Sequence, residues 1–151
     1  MTFDLDRFTR AQDGANAFVH AIGELNAGAK RSHWIWFVFP QLAGLGSSPM
    51  AEMYGLHGVD EATAFLRDRT LRDRLLTAMN SVRRQPVSLH TLMGSQIDVL
   101  KLVSSMTLFR EIARRVKDDS VAEAADEILR TAKREGFAEC EFTLSACARE
   151  Q

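Results

Sequence analysis

The 151-residue chain has two cysteines, three prolines, one tyrosine and two tryptophans, and its formal net charge is −1. Each scarcity closes off something. Cys140 and Cys147 stand two helical turns apart, too far for a disulfide within one helix, and neither belongs to a Cys-x-x-Cys. They read as reduced thiols in a packed C-terminal segment. A near-balanced charge leaves no global field to draw in nucleic acid or an anionic membrane, so neither is an expected partner. Arg67, Arg69, Arg72, Arg74, Arg83 and Arg84 are interleaved with Asp68 and Asp73, the pattern of a solvated face. No run approaches the ~20 apolar residues of a membrane span. The first residues, Met1 to Asp6, lack the basic and apolar regions of a signal peptide, which makes the cytoplasm the expected compartment.

Catalytic and cofactor motifs are scarce too. There is no Walker loop, Gly-x-Gly-x-x-Gly, His-Glu-x-x-His, Gly-x-Ser-x-Gly or zinc-ligand spacing. No metal and no cofactor is therefore expected.

What remains is helical patterning. Hydrophobic residues make up 46% and charged residues 26%, an ordinary globular composition. Ala17, Phe18, Ala21, Ile22 and Leu25 share one helix face, with Gly28 as the stop. Asp4, Ser48 (with Pro49), Asp60, Thr70, Ser88, Ser95 and Ser120 are candidate N-caps, the last opening a Ser-x-x-Glu box with Glu123. Residues 42–48 form a loop of small residues. No repeat, linker or low-complexity tract interrupts the chain. The expectation is one compact all-α domain over residues 1–151, with about seven to nine short helices.

Two segments carry candidate chemistry. The first runs from Arg31 to Gln41 and holds both tryptophans, Trp34 and Trp36. It reads as a helix opened by Ser32 and closed by Pro40, with a buried strand as the alternative. Its aromatic surface is either core or the wall of a ligand pocket. His33 is a candidate proton shuttle or ligand donor, against the plainer reading of a capped histidine. Lys30 and Arg31, just before a helix start, are candidate anion holders or simply a solvated basic pair. The second segment surrounds Lys101, Ser104 and Ser105, which share one face of an otherwise apolar helix. Such groups cost desolvation unless paired. Asp98 is the internal answer, and a bound phosphate or carboxylate is the functional one.

Ser32-His33-Trp34-Ile35-Trp36-Phe37-Val38-Phe39-Pro40-Gln41, then Gly44-Leu45-Gly46, Ser48-Pro49-Met50-Ala51, Asp98, Lys101 and Ser104-Ser105-Met106-Thr107-Leu108-Phe109, resemble the DUF1810 family of uncharacterised bacterial proteins. The resemblance covers about residues 4 to 130. It implies a small all-α domain and no established activity. Some members carry the label calpastatin, which would imply a calcium-protease inhibitor, but calpastatin repeats are disordered and this composition is that of a folded domain. Gly136 to Phe142 depart from the Tyr-Phe-Gly-Gly-type stretch of the family. The order of motifs is also similar to that of the helical NADAR proteins, which handle ADP-ribose-containing molecules. That similarity implies that the aromatic run and Lys101 are two walls of one pocket.

The resulting expectation is a binding protein for a small anionic molecule of nucleotide or ADP-ribose type. Trp34 or Trp36 would stack the ring, and Arg31, Gln41, Lys101, Ser104 and Ser105 would complete the site. If the site is catalytic, hydrolysis of an N-glycosidic bond is the expected reaction class, with His33 or Asp98 as acid/base. The alternative is a non-catalytic interaction module, compatible with a homodimer.

Overall fold

Caps and breakers divide the chain into helices α1 (Asp6–Asp13), α2 (Ala17–Asn26), α3 (Ile35–Val38), α4 (Pro49–Tyr54), α5 (Gly58–Arg67), α6 (Arg69–Arg83), α7 (Leu89–Met93), α8 (Gln96–Val116), α9 (Asp119–Arg134) and α10 (Glu141–Arg149). The structure, a computed structural model, describes residues 2–150. A tight turn, Gly14–Asn16, joins α1 to α2.

Ser48, Ser88 and Ser95 cap α4, α7 and α8, each accepting from the N–H three residues on. Elsewhere the expected caps are displaced. Leu5, not Asp4, precedes α1, and His57, not Asp60, precedes α5. Asp68 replaces Thr70 on α6, and Asp118 replaces Ser120 on α9. Asp118 also accepts both Nε and Nη2 of Arg72 at 3.0 Å, which a serine could not do. The α6 arginines are accordingly more than a solvated face. Arg72 meets Asp118, Arg74 meets Asp13 and Arg83 meets Glu127, tying α6 to α9 and to the end of α1.

Every residue from Leu102 to Arg110 of α8 is buried. A helix that is buried all round must be covered all round. Here α9, α5, α10, α7 and α3 pack against it, and α6 closes the far side through α9 and α5. Phe8, Phe65 and Phe109 stack in series within this core, with ring centroids 5.1 and 5.3 Å apart.

Among the described residues a single parallel bridge, Leu42 to Leu56, stands outside the helices, held by Ala43 N–H to Leu56 O at 2.8 Å and Leu56 N–H to Gln41 O at 2.9 Å. Gly55 permits it. A Cβ there would lie 2.7 Å from Ala43 Cα, closer than any side chain tolerates. The bridge anchors the backbone of Gln41 and the start of the small-residue loop. No helix among the described residues is long and apolar enough to cross a membrane.

Candidate functional site

The aromatic run is a single helical turn, α3, rather than a full helix or a strand. Ser32 does not cap it; Trp34 occupies that place. The Ser32 hydroxyl instead donates to Glu24 of α2, as do the N–H groups of Arg31 (2.6 Å) and Ser32 (2.9 Å) and the Trp34 indole (2.9 Å). Burial pushes the Glu24 carboxyl up, but the hydrogen bonds from Ser32, Arg31 and Trp34 outweigh it and hold it down at about 2. The backbone N–H groups, the Ser32 hydroxyl and the Trp34 indole of this loop are thus taken by the protein's own carboxylate.

This loop fixes the indoles in opposite circumstances. Trp34 is 2% exposed and fully engaged. Trp36, two residues on, is half-buried and forms one wall of a cleft of about 360 Å³. Gln41 stands on the same side. The loop residues Leu45 and Gly46 form the next wall, and Ala138, Glu139 and Cys140, leading into α10, form another. Helix α8 supplies Lys101, Val103 and Ser104 to the floor and the exposed Ile97 and Leu100 to the mouth.

Lys101 is the only cation among the residues lining this cleft. Its Nζ lies 3.7 Å from the Trp36 ring centroid, a close cation–π contact, and 3.6 Å from Asp98 Oδ1. The other oxygen of Asp98 takes Lys30 Nζ at 2.9 Å, and Lys30 lies 5.3 Å from the Trp34 ring. Asp98 is thus a counter-ion shared by two lysines. Across the cleft, Glu139 pairs with the buried Arg110, whose hydrogen bond holds its carboxyl below the ordinary range despite partial burial. Ser104 Oγ lies 3.4 Å from Thr143 Oγ1, which donates to Cys140 Sγ at 3.2 Å. Either hydroxyl of the Ser104–Thr143 pair can be the donor, so Ser104 is partly engaged on the side away from the cleft.

The structure therefore brings together Trp36, Gln41, Lys101 and Ser104, and places Asp98 behind Lys101. It separates the other candidates. Trp34 is core. Ser105 is fully buried, is not among the cleft-lining residues, and its hydroxyl has no partner. Arg31 is exposed and contributes its backbone to Glu24. His33 is exposed on a different depression, lined also by His20, Ser32, Trp34 and Phe37, which shares no residue with the cleft. A proton-transfer role for His33 at the cleft has no geometric support. Glu139 and Cys140 were missed as cleft residues. No local motif marks them, because their place follows from how α10 docks on α8. Among the described residues no group of three or more His, Cys, Asp or Glu could hold a metal.

Fold and cleft together define a small all-α protein with one tryptophan–lysine wall facing an apolar recess. The chain belongs to the family described as protein of unknown function (DUF1810), whose model it matches over residues 2–135. It is similar to the conserved hypothetical protein Rv1873 from Mycobacterium tuberculosis, with a TM-score of 0.76 and 38% identity over 95% of each chain. No curated protein matches it. The cleft residues 138–140 lie beyond the span of the family match.

Proposed function

We propose that this chain binds a small anionic molecule with a flat ring, nucleotide- or ADP-ribose-like anions being the class expected from the sequence, in the cleft between α3 and α8. The observation that carries this reading is the stack of Lys101 on Trp36 at 3.7 Å, at the edge of a recess of about 360 Å³. Ligand sites for small molecules are mostly apolar recesses of this order with a few placed polar groups. The ring of a ligand would pack along Trp36 and the apolar floor, and its anionic group would meet Lys101. Hydrolysis is a further step of the same proposal, and Glu139 in the wall or Asp98 behind Lys101 would have to serve as its base in competition with their own cationic partners, since His33 faces elsewhere.

Titration with ADP-ribose and with aromatic carboxylates, read by tryptophan fluorescence, tests the proposal. Saturable quenching in the wild type and its loss in Lys101→Ala is the expected outcome. No response to either class at millimolar concentration contradicts it.

A second reading is favoured by Ile97 and Leu100, which are 65% and 49% exposed beside the cleft. As part of an interaction surface they would bury themselves against another protein chain, a second copy included. Light scattering distinguishes the two: a concentration-dependent dimer supports this reading, and a monomer at all concentrations removes the homodimer.

A further inference from the structure

The charge and donor inventory of the cleft narrows its ligand. We infer that the cleft selects an aromatic monocarboxylate and not a diphosphate-bearing nucleotide; this rests on the reading of the cleft as a ligand site. Lys30 and Lys101 together face one carboxylate, Asp98, so the group carries a single net positive charge. On the opposite wall stands Glu139, whose charge is matched by Arg110, so that wall offers no free positive charge to a second anionic group. Anion recognition of a diphosphate asks for several donors and more than one charge. The side-chain donors lining the recess are the Lys101 ammonium, the Gln41 amide and the Trp36 indole N–H; the Ser104 hydroxyl is shared with Thr143 and the Cys140 backbone N–H is taken by Thr107 Oγ1. The phosphates and ribose hydroxyls of ADP-ribose would enter with most of their hydrogen bonds unmade, a cost each buried polar group bears in full. A flat hydrocarbon or heteroaromatic ring bears no such cost. It gains contact with Trp36, Leu45 and Val103, and covers Leu100 and Ile97 at the mouth.

The test is calorimetric titration of the full chain with three probes: naphthalene-2-carboxylate, its neutral counterpart 2-naphthalenemethanol, and ADP-ribose. Two variants accompany the wild type, Lys101→Met and Ile97→Glu. The second sits at a 65% exposed position, so it adds a carboxylate at the mouth without disturbing the core. The expected result is binding of the naphthoate, at least about tenfold weaker binding of the alcohol and of the naphthoate to either variant, and ADP-ribose weaker than the naphthoate. ADP-ribose binding more tightly than the naphthoate, with sensitivity to Lys101→Met, would overturn the monocarboxylate assignment and leave the cleft as a ligand site. No binding of any probe, or binding indifferent to both variants, would overturn the cleft reading and this inference with it.

Discussion

Lys30 and Lys101 share the carboxylate of Asp98, and each faces an indole from the same short segment. The Lys30–Trp34 pair is closed: the lysine side chain is 6% exposed, the indole is 2% exposed, and the indole N–H is taken by Glu24. The Lys101–Trp36 pair is open: the lysine side chain is 20% exposed and both residues line the cleft. The same residue types thus do two different jobs, and burial decides which. On the closed side the cation and the indole are both buried and both partnered, and they hold the loop against α8. The open pair faces a recess, and on our proposal that free side is where a ligand binds.

The largest effect expected from breaking this contrast is on the closed side. Trp34→Ala should cost about 3–5 kcal/mol in urea unfolding, against about 1–2 kcal/mol for Trp36→Ala. Equal costs would erase the distinction. Next comes the shared anion. Asp98→Asn leaves Lys30 buried without a counter-charge and should cost about 3 kcal/mol, whereas Lys101→Met should change stability by less than about 1 kcal/mol, since Lys101 is more exposed and Asp98 keeps Lys30. A Lys101→Met loss as large as that of Asp98→Asn would make Lys101 a structural residue.

A smaller effect is read in pH. Glu24 has an ordinary value of 4.5 when unfolded and about 2 in the folded chain. Its stabilisation is therefore complete above the unfolded value and lost as pH falls through the folded one. Stability measured from pH 6 down to about 2 should fall in the wild type and fall less steeply in Glu24→Gln, which starts lower. Parallel curves would show that Glu24 does not anchor the aromatic segment.

Much of the helical plan was legible from local chemistry. Ser48, Ser88 and Ser95 sit before apolar stripes and cap as their type dictates. The displaced caps have a tertiary cause in one case: Asp118 serves Arg72 on another helix while capping α9, and no local pattern records that second duty. The aromatic run was legible as important but not as a shape. Its helix is cut to one turn because Glu24, on the preceding helix, draws the intervening backbone N–H groups and the Trp34 indole to itself. The face bearing Lys101 and Ser104 was readable from helical spacing, as was Asp98 beside Lys101. Lys30 as the tighter partner of Asp98 was not, since that pair forms only when α8 packs beneath the loop. Glu139 and Cys140 were illegible for the same reason.

The most direct test of the central claim uses the fact that the chain has two indoles. In a ¹H–¹⁵N spectrum each gives its own side-chain N–H signal, assigned by Trp34→Phe and Trp36→Phe. Titration with naphthalene-2-carboxylate should move the Trp36 signal saturably and leave the Trp34 signal in place. Movement of the Trp34 signal alone, or of neither signal at millimolar probe, would contradict the assignment of the ligand site to the open lysine–indole pair.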